Sequence, residues 1–225
     1  MMEKIPAKSQ TSSDAVFDKL FSELLSLEIK PLSTLSEADV ASRFGVSRQP
    51  VRDAFNRLSD LGLLQITPQR PTLVRGFSME RIQNARFVRL TIELEVMKSA
   101  CVRWDADAVQ ALEENLVHQR AAIVEERVEA FHALDYDFHR LICVHAGHPI
   151  AFETMHRCKL QVDRLCVLSL GRDNEVAVVL EDHENIARAL RDKSIRKATR
   201  LLRRHASRLD PVIEDIHKSH GKYFD

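Results

Sequence analysis

Glycine and proline are scarce, with 6 and 7 in 225 residues. Collagen-like repeats, linker arrays and turn-rich all-β folds are therefore excluded. No apolar run approaches the roughly 18 residues that span a bilayer, and the polar stretch 1–13 has no apolar core of a signal peptide. The expectation is a cytoplasmic chain with no membrane partner. Net charge is missing too, because 33 Lys and Arg balance 33 Asp and Glu. The chain is neither a basic nucleic-acid coat nor an acidic tail, and any DNA contact must come from a local patch. The four cysteines, Cys101, Cys143, Cys158 and Cys166, form no CxxC pair. Their apolar neighbours suit buried free thiols in a reducing compartment. Histidine is absent from the first 117 residues, and all 10 follow. That asymmetry directs the search for a His-based site to the second half.

What is present is an ordinary globular balance, 44% apolar and 29% charged, on a chain long enough for one large or two small domains. Residues 1–12 read as a frayed tail. From Ser13, Val16, Leu20, Leu24 and Leu27 recur at helical spacing, with Phe17 and Phe21 beside them, up to Pro31. Ser36 caps a short helix to about Phe44. Gly45 ends it, Ser47 caps the next helix, Pro50 falls in that helix's first turn, and Gly62 terminates it. Residues 63–67 and 72–75 are short extended runs around Pro68-Gln69-Arg70-Pro71, a hairpin with a basic tip. After Phe77 the pattern is helical throughout, with helices at about 79–103, 106–126, 129–146, 150–170, 174–191 and 194–209. Pro211 is expected to kink or end the last. The fold class is mainly α. A winged helix-turn-helix over residues 13–77 precedes an all-α helical bundle over 78–225.

The helix, glycine turn and second helix spanning Leu35 to Phe55 follow helix-turn-helix grammar, in which the N-terminal residues of the second helix reach base edges in the major groove. Here those residues are Arg48, Gln49 and Arg52. Arginine can grip guanine O6 and N7 together, and glutamine adenine N6 and N7. Ser47 and the helix N-terminus suit a phosphate. Arg70 at the hairpin tip reaches the minor groove or the backbone. A helical hairpin with solvated arginines would share the charge but not the combined turn, SRxxVR spacing and hairpin. The stretch from Ser13 to Phe77, through LSEADVASRFGVSRQPVRDAFNRLSDLGLL and its wing, resembles the winged helix-turn-helix of GntR-family bacterial transcription regulators. The resemblance implies double-stranded DNA as partner, with the same four residues of the turn and recognition helix as contacts. Two positions depart from the family pattern: Ala38 stands where an arginine commonly follows LSE, and Pro71 where the wing tip usually has glycine.

In the second half, Asp135 and His139 stand at i and i+4 and share one helix face. His183 and His205 lie on two later helices. Three imidazoles and a carboxylate can meet inside a bundle and hold a divalent metal, and mixed N/O donors suit Zn, Ni, Fe or Mn without selecting among them. By spacing alone, a histidine in a helical bundle is more often a hydrogen-bonded or exposed residue than a metal ligand. Residues 79 onward resemble the all-helical FCD effector domain of the FadR subfamily of GntR regulators, on DYDFH followed by HENIARALRDKSIRKATRLLRRH. That resemblance implies Asp135, His139, His183 and His205 as metal ligands, and a small organic acid held on the metal with help from a cation. Arg89 matches the arginine on the first helix of such domains. Arg164 is a second candidate, against the alternative that both arginines form surface salt bridges. His145, His156, His217 and His220 match no such position and read as ordinary surface or helix residues.

The function expected is a regulator, read as a repressor, that binds an inverted-repeat operator as a homodimer and responds to a small organic acid at a metal site. A regulator for which the metal is the signal uses the same ligands. A metalloenzyme is the remaining alternative, with Glu181 or Asp182 as base, but it leaves the N-terminal unit without a purpose.

Overall fold

The computed structural model describes residues 11–169 and 175–224. The chain up to Ser78, together with the residues from His220, forms one compact unit, and Met79–Ser219 forms the other.

The first unit holds α1 (Ser12–Leu25), β1 (Thr34–Leu35), α2 (Glu37–Phe44), α3 (Arg48–Asp60), β2 (Leu64–Gln65) and β3 (Thr72–Val74). Helix α1 starts one residue before the expected Ser13, because Thr11 and Asp14 form a reciprocal capping box. Residues 1–10 of the expected tail lie outside the described residues. Val16, Leu20 and Leu24 form the buried stripe of α1 against Val51, Phe55 and Leu58 of α3. Each fully buried Leu or Phe contributes about 1.5–3 kcal/mol. The helix does not run on to Pro31. Leu27 takes a left-handed φ of 60°, and Ile29 N–H donates to the Glu23 carbonyl at 3.1 Å, so the chain turns before proline is reached.

Gly45 ends α2 with φ 63°, where a side chain would be strained. Helix α3 ends in a Schellman motif, in which Gly62 N–H donates to Ser59 and Leu63 N–H to Leu58. The wing is antiparallel, with Leu64 opposite Val74 and Gln65 opposite Leu73. Its third strand, β1, pairs Thr34 with Leu73 on the other edge of β3. Two residues are too short to show a period, so this strand had no sequence signal.

Residues 220–224, expected to close the helical domain, belong to the first unit. Phe77 N–H donates to the Tyr223 carbonyl at 2.8 Å, Phe77 and Phe224 form an isolated parallel bridge, and their rings lie 5.5 Å apart. A Cβ on Gly76 would fall 2.8 Å from that same carbonyl oxygen, so the close approach requires glycine.

The second unit consists of α4 (Met79–Arg103), α5 (Ala106–Val124), α6 (Val128–His145), α7 (Pro149–Cys166), α8 (Glu175–Arg191), α9 (Ile195–Ser207) and α10 (Leu209–Ser219). Three of its turns repeat one device. Glu126, Gly147 and Lys193 each take positive φ after a helix end, and the next amide reaches back to Ala122, Cys143 and Ala189 respectively. The break expected at Pro211 is present: α9 ends at Ser207, the residue whose carbonyl Pro211 has no N–H to reach. Pro211 itself sits in the first turn of α10, where its missing N–H has no acceptor within that helix to lose. The expected break at 171–174 lies outside the described residues.

Val96, Met97, Trp104, Leu112, Leu116, Phe138, Ile142, Ile186, Leu190 and Leu202 fill the core of this unit. Cys101 and Cys143 join them, whereas Cys158 and Cys166 are only half-buried. No helix among the described residues is long and apolar enough to cross a membrane.

Candidate functional site

On the first unit, Ser47, Arg48, Gln49 and Arg52 are exposed along the start of α3, and Arg70 is exposed between β2 and β3. Ser47 is the N-cap residue, yet its hydroxyl makes no capping bond and is available to an outside acceptor. Arg48 makes no ion pair with any described residue. The other two side chains are held. Gln49 donates to Asp53 Oδ1 at 2.8 Å, and Arg52 grips Glu37 in a fork, Nε to Oε1 at 3.2 Å and Nη2 to Oε2 at 2.9 Å. The hydrogen bonds to Glu37 and its charge push Arg52 above its ordinary value. A base edge or phosphate must therefore compete with Glu37 for Arg52. Asp53 and Glu37 were not singled out in the sequence, although both lie inside the quoted motif. At the wing tip, Gln69 takes the left-handed conformation, φ 61°, and Arg70 N–H closes the turn onto the Thr67 carbonyl at 3.2 Å.

On the second unit, the four expected ligands meet. Asp135 and His139 come from α6, His183 from α8 and His205 from α9. One donor atom from each lies within 4.8 Å of the rest, and all four residues are buried. Asp135 Oδ1 is 3.4 Å from His183 Nε2 and 3.9 Å from His139 Nε2. Both of those nitrogens are buried without a hydrogen-bond partner, an expensive state unless something else binds them.

The second polar atom of Asp135, His139 and His183 faces a neighbour. Asp135 Oδ2 accepts from Lys159 at 2.6 Å. His139 Nδ1 faces Glu93 Oε1 at 3.4 Å, and His183 Nδ1 pairs with Gln119 Oε1 at 2.9 Å. Gln119 in turn donates to Asn115 at 2.7 Å. His205 Nδ1 is buried without a hydrogen-bond partner, 3.6 Å from Asp182 Oδ2, and Asp182 binds Arg204 and Arg208. A ring nitrogen bonded outward leaves the other free to ligate, the arrangement found around metal-bound histidine. Burial holds His139 and His183 well below their ordinary values, so both are neutral and carry a lone pair. Burial opposes the charge of Asp135, but the Lys159 ammonium, by its charge and its hydrogen bond, outweighs it and keeps the carboxyl well below the usual range. A neutral-imidazole and carboxylate donor set of this kind fits a divalent transition metal.

Two small cavities share Glu93, His139 and Met155. One is bounded also by Arg89, Tyr136, His156 and Lys159, the other by apolar side chains such as Val96, Ile142 and Leu202. Arg89 lies at the first, Nε donating to Glu93 Oε1 at 3.0 Å. Burial disfavours its charge, but Glu93, Asp135 and Asp163 more than offset that. Arg164 is in neither lining. It is fully buried on α7, where burial alone pushes its guanidinium down to about 10. It is thus neither the surface arginine nor the cavity cation that the sequence suggested. Lys159 is a cation the sequence reading missed, and its position one helix away from Asp135 left no spacing by which to find it. His156 is likewise not an ordinary surface residue, since its Nδ1 is buried without a partner.

The FCD domain family model matches residues 85–208, and that described as "Bacterial regulatory proteins, gntR family" matches residues 12–74. The HTH-type transcriptional repressor RspR of Escherichia coli (strain K12) is 32% identical over 216 residues, which cover 96% of this chain and 95% of RspR. Among solved structures, E. coli McbR/YncC superimposes with a TM-score of 0.73 at 18% identity, covering 91% of this chain and 98% of that one. Lar, which controls expression of the Listeria monocytogenes agr system, gives a TM-score of 0.67 at 16% identity, covering 93% and 99%. At these identities the two structures attest the fold alone.

Proposed function

The chain belongs to the gntR family of bacterial regulatory proteins and carries an FCD domain, and we propose that this transcription regulator is a cytoplasmic, homodimeric repressor whose grip on operator DNA changes when a small organic acid enters a metal site in its helical unit. The observation that carries the reading is the cluster of Asp135, His139, His183 and His205, with three imidazole nitrogens buried and unpartnered. Zn, Ni, Fe or Mn bound there would supply a Lewis-acid position for a carboxylate. Arg89 and Lys159 line the adjoining cavity and would bind and orient the acid as fixed positive charge. Arg164 lies outside that lining.

Ser47 and the open N-terminus of α3 would take a backbone phosphate, and Arg48, Gln49 and Arg52 would read base edges. Arg70 would reach the adjacent groove or backbone from the wing. One recognition helix covers only a few base pairs, so a twofold dimer on an inverted repeat supplies the specificity. The ligand shifts DNA affinity only as far as it prefers one conformation over another.

The test is fluorescence anisotropy on DNA from upstream of the protein's own gene against a scrambled duplex, at fixed salt, with added metal or chelator and a panel of carboxylic acids. Selective binding that an acid alters in the metal-loaded protein is expected. His183→Ala should abolish metal binding and the acid response while leaving DNA binding measurable. An acid response that survives without metal would show the ligand assignment to be wrong. A response to metal with no acid present would make the metal the signal.

A further inference from the structure

Two residues lining the cavity beside the cluster each carry a buried polar atom without a hydrogen-bond partner. Glu93 spends Oε1 on Arg89 and His139, and its Oε2 is buried without a partner. His156 lines the same cavity with Nδ1 in the same condition. Its ring is held in place, edge-on to Tyr136 at 4.9 Å and stacked on Phe152 at 6.0 Å. Tyr136 is fixed in turn, its hydroxyl donating to Asp163 and its face covered by Lys159 at 3.7 Å. Leaving such atoms unsatisfied is costly, and a guest in the cavity that both residues line would relieve the cost.

The guest's chemistry is constrained from both sides. A carboxylate oxygen only accepts, so Glu93 Oε2 needs a donor. His156 is neutral, because burial lowers its proton affinity, and a neutral imidazole nitrogen donates or accepts according to its tautomer. A hydroxyl satisfies both with the imidazole hydrogen on Nδ1: its one hydrogen goes to Glu93 Oε2 and its oxygen accepts from His156 Nδ1–H. An ammonium group would satisfy Glu93 but would lie against Arg89 and Lys159, two cations on the same cavity. A methylene would leave both atoms bare.

We propose that His156, with Glu93 Oε2, is a specificity-determining pair that recognises a hydroxyl on the effector, so that the ligand class is hydroxy acids rather than simple or amino acids. The inference rests on the acid-effector reading above and sharpens it. Nothing in the metal cluster itself makes this distinction, since a metal and an arginine bind any carboxylate.

The test is isothermal titration of the full-length, metal-loaded protein with two matched series: lactate, propionate and alanine, and malate, succinate and aspartate. The hydroxy member of at least one series should bind about 10-fold or more tightly than its deoxy and amino counterparts, because a site built to hydrogen-bond a hydroxyl rejects analogues that lack it. His156→Phe keeps an aromatic ring between Tyr136 and Phe152 and removes both nitrogens. It should bring the hydroxy and deoxy affinities together while leaving the deoxy affinity near that of the unsubstituted protein. His156→Asn, which restores a polar edge, should recover part of the preference. Equal binding of hydroxy and deoxy acids, or a preference that survives in His156→Phe, overturns the inference and leaves the acid-effector reading standing. If no acid binds although metal and operator DNA both do, the acid-effector reading fails and this inference fails with it.

Discussion

Lys159 holds Asp135 by one oxygen and leaves the other to the histidines. The ammonium lies 2.6 Å from Oδ2, while Oδ1 faces His183 and His139. The carboxylate is thereby turned so that a single oxygen enters the cluster, and the buried negative charge stays paired whether or not a metal is present.

Removing that ammonium should be costly only when nothing replaces it. Lys159→Met leaves a buried carboxylate unpaired, and the metal-free protein should lose about 3–5 kcal/mol of stability. Excess Zn should recover a large part, because the cation restores a partner to Asp135. Urea denaturation with and without metal reads both values. An equal loss in the two conditions would show that Lys159 acts by packing alone.

Gln119 should control metal affinity without touching metal. Its Oε1 bonds His183 Nδ1 and so directs Nε2 toward the cluster. Gln119→Leu should weaken metal binding about 10–100-fold, whereas Gln119→Glu, which keeps an acceptor at the same reach, should retain most of it. Competition against a chromophoric chelator measures both. Equal weakening by Leu and Glu would rule out the acceptor role.

The exposed residues of α3 should separate into positioning and reading. Arg48 is free to meet a base, and Arg48→Ala should lose about 1–3 kcal/mol of operator discrimination. Ser47→Ala, removing a hydroxyl that caps nothing in the protein, should weaken operator and scrambled DNA alike. Glu37→Gln should tighten both, because Arg52 no longer has a competing carboxylate. Anisotropy titrations at fixed salt distinguish the three patterns.

The thiols should react in two classes. Burial pushes Cys143 up to about 12 and raises Cys101 as well, and both lie in the core. In native protein at pH 8, a thiol reagent should label Cys158 and Cys166 only. Moving to pH 9 should not bring in Cys143, since its thiolate remains a small fraction there. Mass spectrometry of the labelled peptides checks this, and early labelling of Cys143 would contradict it.

Much of this architecture is legible in the amino-acid order because local rules decide it. Gly45, Gly62 and Gly147 mark turns that need positive φ, and Val16, Leu20 and Leu24 mark a helix face. Asp135 and His139 share a face because four residues complete a helical turn. What was not legible depends on tertiary neighbours. Lys159 reaches Asp135 across 24 positions of sequence. Arg164 and Arg89 both read as helical arginines of unknown exposure, and only packing separates a cavity wall from an enclosed core. The left-handed turn at Leu27 and the two-residue strand β1 carry no period at all. His156 was passed over because one histidine on a half-apolar helix has no spacing signature, and its environment is made by Tyr136 and Phe152.

The pairing of Phe77 with residues 223 and 224 makes the operator-reading unit discontinuous along the chain. Regulators of this construction are commonly pictured as a portable DNA-reading head joined at one point to an interchangeable sensor. Here a recombination event that exchanged sensors at Ser78 would discard the strand that covers Phe77 and faces the side-chain-free surface at Gly76. A workable exchange must inherit residues 220–224 along with the head, so the helical unit is less freely traded than the linear order of the gene implies.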